Sequence, residues 1–157
     1  MKIVILGAGA VGSTLASLLC QENDLVVVDH NSSELHRLEE EADIKTLTGG
    51  ASYPNILVNA GIQEADMVVA VTGSDETNIV SCMIAKVLNK SIKTIARVRE
   101  ISYLKGKTKE AMDSGEIPVD IHISPEQLIT EHIQGLIEIP GSLQVMEFGQ
   151  GKLNLVA

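Results

Sequence analysis

Six short apolar runs alternate with six helix-patterned stretches along this chain, and that alternation restricts the fold more than any other feature. The runs are read as strands over 2–6, 25–29, 44–48, 67–71, 92–98 and 119–123. Helices are expected over 10–21, 33–42, 55–60, 76–88, 102–113 and 125–138. In the first helix, Val11, Leu15, Leu18 and Leu19 form the side expected to face inward. β-then-α units in series build a parallel sheet with helices on both faces, and right-handed crossovers predict the strand order 3-2-1-4-5-6. The fold class is therefore α/β, a Rossmann-type doubly wound sheet. Aromatic residues make up only 2% of the chain, so its core is expected to be Ile, Val, Leu and Ala, the usual filling of a buried parallel sheet.

The first strand runs directly into Gly7-Ala8-Gly9-Ala10-Val11-Gly12, a GxGxxG turn that opens an apolar-striped helix. The pattern alone is weak; in this strand–turn–helix setting it marks a dinucleotide site. Gly7 permits the tight turn, Gly9 lets backbone approach a pyrophosphate, and Gly12 allows close packing of helix on strand. The helix N-terminus adds free N–H groups and partial positive charge. Asp29 ends the second strand, 17 residues beyond Gly12. A carboxylate there accepts both hydroxyls of an adenosine ribose and repels a 2′-phosphate, which favours NAD(H) over NADP. No Arg follows directly; the neighbours are His30, Asn31 and Ser32. ATP or ADP would use the same ribose contact.

Ligands of such sheets sit beyond the carboxyl ends of the strands. Three further segments fall there. Thr48-Gly49-Gly50-Ala51-Ser52 passes near an adenine ring or is a plain turn. Thr72-Gly73-Ser74-Asp75-Glu76 lines the middle of a cofactor, or its Ser74 only starts a helix favoured by the dipole. Arg97 reaches a phosphate, or pairs structurally with Glu100 or Asp75.

Beyond Pro140-Gly141, 143–148 and 153–156 alternate like strands around Gly149-Gln150-Gly151-Lys152. The domain reading is thus 1–140 for the nucleotide-binding part and 141–157 for a hairpin or the opening of a further domain. The chain stops at Val156-Ala157 inside an apolar run, which points to a domain cut short, a hairpin closing the fold being the alternative.

A formal net charge of −9 argues against nucleic acid as a partner. Cys20 and Cys82 lack CxxC spacing and are read as buried apolar fillers in a reducing cytosol. His30, His36, His122 and His132 are scattered, so no metal site is expected. There is no GxSxG elbow and no GxxxxGK[ST] loop. Tyr103 and Lys107 share the YxxxK spacing of short-chain dehydrogenases, but Ser91 precedes its strand and Gly106 interrupts the helix. The dinucleotide fold also leaves too few residues for a substrate domain. The expectation is binding without chemistry and no catalytic residues; the alternative is the cofactor domain of an NAD-dependent dehydrogenase.

Five segments occur in order: 7–12, Thr-Gly-Gly-Ala-Ser-Tyr-Pro (48–54), Ala-Val-Thr-Gly-Ser-Asp-Glu-Thr-Asn (70–78), Ile-Ala-Arg-Val-Arg-Glu (95–100) and Ile-Ser-Pro-Glu-Gln-Leu-Ile-Thr-Glu-His-Ile (123–133). Together they closely resemble the N-terminal RCK/KTN domains of TrkA-type regulatory subunits of bacterial Trk potassium uptake systems. The resemblance implies a non-catalytic, cytoplasmic sensor, peripheral on the inner face of the membrane, that binds NAD(H) and in many cases ATP or ADP. It implies a Trk-type potassium-translocating membrane subunit as partner. The family's binding positions fall on Gly7, Ala8, Gly9, Ala10, Val11, Asp29, Thr72, Gly73 and Arg97, and Gly12 completes the glycine turn. Position 10 is Ala where some ATP-responsive relatives carry Arg, which leaves NAD(H) and ATP/ADP both open. Ser124-Pro125-Glu126-Gln127 is a capping box with Pro at the first helical position. The helix 125–138 that follows carries an apolar stripe of Leu128, Ile129, Ile133, Leu136 and Ile137. It packs on its own sheet or, as the resemblance implies, on a partner subunit in a homodimer or higher oligomer.

Overall fold

Strand β1 (Lys2–Leu6) has a parallel neighbour on each side, and the rest of the sheet grows outward from it. In this computed structural model, which describes residues 1–138, 145–148 and 153–156, the chain forms two compact units, Met1–Ile123 and Ser124–Ala157.

The first unit is built on β1, β2 (Asp24–Asp29), β3 (Lys45–Thr48), β4 (Met67–Ala70), β5 (Lys93–Arg97) and β6 (Ile121–Ile123), all parallel, in the order 3-2-1-4-5-6. Registers are in phase: Leu6 lies beside Val28 and Ala70, so the glycine turn and the ends of β2 and β4 leave the sheet at one level. Helices α1 (Ala10–Leu19), α2 (Ser32–Glu41), α3 (Pro54–Asn59), α4 (Asp75–Leu88) and α5 (Gly106–Asp113), with a short 3-10 turn at Ile62–Glu64, connect the strands. The sheet divides the core into two apolar layers. Val4, Leu6, Val28, Val68 and Ala70 pack on one side with Leu57, Ile79, Cys82 and Ala85. Ile3, Ile5, Val27 and Val69 pack on the other with Ala16, Leu35 and Leu38. Each buried aliphatic side chain contributes roughly 1.5–3 kcal/mol.

Three expectations are corrected. On α1 the fully buried residues are Gly12 and Ala16; of the expected inward side, Leu15 and Leu19 pack against the core, whereas Leu18 is 73% exposed and Val11 also reaches solvent. The helix lies so close to the glycine turn that only small residues fit between. The helix expected over 102–113 begins at Gly106, whose φ of 56° ends the preceding turn in the left-handed region. Tyr103 therefore sits in that turn and packs against the core, and the YxxxK pair is not carried on one helix. Of the two thiols, Cys82 is fully buried and burial pushes its pKa up to about 12, but Cys20 is half-buried at the end of α1.

The second unit holds α6 (Pro125–Glu138) and an antiparallel pair, β7 (Val145–Phe148) with β8 (Leu153–Val156). Proline opens α6, where a missing N–H costs nothing. Leu128, Ile129, Ile133 and Ile137 are exposed on it. The expected break at Pro140-Gly141, the start of the hairpin at 143 and the connection Gly149-Gln150-Gly151-Lys152 lie outside the described residues, as does the side chain of Leu136. Among the described residues no helix is long and apolar enough to cross a membrane.

Candidate functional site

The turn after β1 is built from backbone. Gly7 has φ 110°, a conformation that costs side-chain-bearing residues dearly, and a Cβ there would lie 3.0 Å from Thr72 Cα. Its N–H donates to the carbonyl of Val28 (2.8 Å). At the head of α1 the N-cap is Gly9, which offers no side-chain cap. The first N–H groups of a helix have no partner within it, so α1 presents donors and partial positive charge without competition from a capping oxygen.

Asp29 is held against this turn. Its Oδ2 accepts the Ala8 N–H (2.7 Å), its Oδ1 accepts the Asn31 N–H (2.8 Å), and His30 Nδ1 lies 3.0 Å from Oδ1. A carboxylate has about four lone-pair sites, so acceptor capacity remains on a group whose orientation is already set. The side chain is 12% exposed, at the wall of the cleft described below.

Across from it, the ends of β4 and β5 clasp one another. Arg97 donates to the carbonyl of Thr72 (2.6 Å), and Arg99 donates to that of Gly73. In return, α4 grips β5. Asn78, fully buried, donates to the carbonyls of Arg97 (2.9 Å) and Thr72 (3.3 Å) and accepts from the Thr72 N–H (2.9 Å) and hydroxyl (2.7 Å). Asp75, also buried, accepts the N–H groups of Arg99 and Glu100, each at 2.7 Å. The partner of Asp75 is thus Arg99, and Arg97 holds a carbonyl where an acidic partner was one expectation. Arg97 Nε is buried without a hydrogen-bond partner. Ser74 caps α4 by accepting the Thr77 N–H (3.1 Å), as one expectation had it. The backbone amide of Glu76 itself and the Ser74 hydroxyl hold the Glu76 carboxyl below its ordinary pKa.

These parts enclose a cleft of about 520 Å³ lined by Gly7, Gly9, Ala10, Val11, Asp29, Thr72, Gly73 and Arg97, together with Val71, His30, Asn31, Glu34 and Arg37. Ala8 and Gly12, from the same predicted set, are buried beneath it. The structure places the remaining eight around one space. A second hollow of about 330 Å³ shares Asp29, His30, Thr72 and Gly73 with the first and adds Gly50, Ala51, Ser52 and Tyr53. Thr48 faces a different groove, beside α2, and Gly49 packs on Ile56. Sequence reasoning passed over Arg37, Glu34, Asn78, Asp75 as a clasp, Arg99 and Tyr53. Arg37 lies in the second turn of α2, paired with Glu34 at 3.5 Å, and reaches the cleft from beyond the residues that directly follow Asp29. Asn78 left one signal, a polar residue next to buried Ile79 near the start of α4.

Comparison with known proteins agrees with this architecture. The model of the TrkA-N domain family matches residues 3–125. The chain is 49% identical over 158 aligned residues to the Trk system potassium uptake protein TrkA of Halomonas elongata, covering 100% of this chain. It is 48% identical over 159 to that of Vibrio alginolyticus, again covering 100% of this chain. It spans 34% of the length of each of these curated relatives. Among solved structures, the TrkA-N domain of the inner membrane protein ybaL from Escherichia coli superposes with a TM-score of 0.72 at 20% identity, over 87% of this chain and 96% of that one. The GsuK channel bound to NAD gives a TM-score of 0.69 at 23% identity, over 86% of this chain and 23% of that one. GsuK bound to ADP gives 0.65 at 23%, over 87% of this chain and 33% of that one.

Proposed function

The chain belongs to the TrkA-N domain family, and from that premise we propose that it is the nucleotide-sensing part of a regulatory subunit of potassium uptake, binding NAD(H) or ATP/ADP without catalysing a reaction. One observation carries this reading: the uncapped head of α1, the oriented Asp29 carboxylate and the Arg97 guanidinium line one cleft at the carboxyl ends of the strands. In a sheet ordered 3-2-1-4-5-6, the strand order reverses between β1 and β4, and ligands bind at that switch point. Gly7 and Thr72 stand on its two sides.

The diphosphate of the nucleotide sits on the N–H groups at Gly9, Ala10 and Val11. The ribose hydroxyls donate to Asp29, whose charge disfavours a 2′-phosphate. Arg97 lies on the far wall, where its charge meets a phosphate. The structures of GsuK with NAD and with ADP support both nucleotide classes as candidates. NADH and NAD+, or ATP and ADP, then bias two subunit arrangements by their differential affinity for them. The partners proposed are a second copy of the chain, through helix 125–138, and a Trk-type potassium-translocating membrane subunit. The proposed location is the cytoplasm, at the inner face of the membrane. Nucleic acid is not a proposed partner, given the acidic charge balance.

Calorimetric titration with NADH, NAD+, ATP and ADP tests the reading. Binding of at least one is expected. Asp29→Asn, which keeps an acceptor for the Ala8 N–H but loses the charge and the acceptor for the Asn31 N–H, should weaken it about tenfold, roughly 1.4 kcal/mol. Unchanged affinity in that variant would sink the site as drawn.

A further inference from the structure

Tyr53 is an aromatic side chain left 61% exposed in a chain with one Phe, two Tyr and no Trp. Its surroundings hold it in place all the same. Pro54 follows it and opens α3, which restricts Tyr53 to the extended backbone it adopts, φ −89° and ψ 124°. Its N–H donates to the Gly50 carbonyl (3.0 Å), and its own carbonyl accepts the Leu57 N–H (3.0 Å). The ring lies on Gly50: a Cβ built there would stand 3.0 Å from Cδ2 and Cε2 of the ring and 3.2 Å from Cγ. The position is therefore a glycine-backed shelf carrying a ring whose conformation is settled before any ligand arrives.

That shelf forms one wall of the 330 Å³ hollow which shares Asp29 and the Thr72-Gly73 turn with the larger cleft. A ribose held by Asp29 projects its base from the neighbouring ring carbon, and the hollow lies beside Asp29. Stacking on an aromatic face is how proteins commonly hold such a base, because every base has a π-face. We infer that Tyr53 is the base-positioning residue of the site, its ring stacking on the purine of a bound adenine nucleotide while Gly50 keeps the ring flat and in reach. This inference rests on the nucleotide reading above and adds to it a specific contact.

The small number of aromatic residues makes the test spectroscopic. The 157-residue chain has two tyrosines and no Trp, so Tyr103→Phe leaves Tyr53 as the sole tyrosine emitter and Tyr53→Phe leaves Tyr103. Saturation with ADP should quench the emission of Tyr103→Phe and leave that of Tyr53→Phe unchanged after correction for absorbance. By calorimetry, Tyr53→Phe should bind ADP within about twofold of the parent, since stacking needs the ring and not the hydroxyl. Tyr53→Ala should bind it about tenfold or more weakly. Gly50→Ala, which keeps the tyrosine but lifts it from its shelf, should weaken binding in the same direction. If the parent chain binds ADP and Tyr53→Ala binds it equally well, the stacking role is overturned and the nucleotide site stands. Equal weakness of Tyr53→Phe and Tyr53→Ala also overturns it, because a hydroxyl contact would then be responsible. If the parent binds no adenine nucleotide at all, the functional reading itself falls.

Discussion

A Cβ atom built on Gly12 lies 1.8 Å from the carbonyl oxygen of Gly7, a distance no relaxation of a side chain relieves because both groups are backbone. Gly12→Ala must therefore push α1 away from the turn. Overpacking of this kind costs about 3 kcal/mol, which for a chain of this size lowers Tm by roughly 6–12 °C. A thermal melt followed by circular dichroism measures it, and a Tm within 2 °C of the parent would contradict the packing described, on the same scale. Gly9 behaves differently at the same turn, since nothing lies within 4 Å of a Cβ placed on it. Its small size leaves room for a ligand, and the motif's three glycines thus serve separate ends. In the proposed site Asp29 combines both kinds of role, because one carboxylate orients the turn through the Ala8 N–H and retains lone pairs for the proposed ribose.

Between elements, the decisive contact is the mutual grip of α4 and β5. Asn78 meets four groups with one amide, and all four belong to Thr72 or Arg97. Replacing it by Ala leaves the Thr72 N–H and the Arg97 carbonyl buried without these partners, at about 1–3 kcal/mol each. Asn78→Ala should lose about 2–6 kcal/mol in urea unfolding. It should also weaken nucleotide binding by more than any exposed substitution on α4, because Thr72 and Arg97 both line the cleft. A loss of stability with unaltered nucleotide affinity would show that the grip is structural alone. Asp120 performs a similar service at the opposite end of β5. Burial raises its pKa, but hydrogen bonds from Lys86 and Thr94 outweigh that and hold the carboxyl below its ordinary value.

At the scale of the whole molecule, the proposed sensing depends on a second copy of the chain. Leu128, Ile129, Ile133 and Ile137 recur on α6 at helical spacing and are exposed, which is the pattern of a helix that buries its stripe against a partner. The chain is expected to sediment as a dimer or larger assembly, and Ile133→Asp should shift it toward monomer without lowering the helical signal. A parent chain that is monomeric at tens of micromolar would remove the helix 125–138 interface from the proposal.

The architecture was legible in the amino-acid sequence because it follows from local periodicity and chain chirality. Apolar runs of strand length, helical stripes between them and right-handed crossovers leave few arrangements other than the order 3-2-1-4-5-6. The glycine turn and Asp29 were legible for the same reason, being fixed by position along one β-α-β unit. What remained hidden is what joins residues far apart in the chain. That Arg97 holds the Thr72 carbonyl, that Asp75 takes Arg99 and that Arg37 lines the cleft are all decided by packing between elements. Side-chain direction at such places is set by neighbours that no window of local sequence contains, so only the folded chain assigns it.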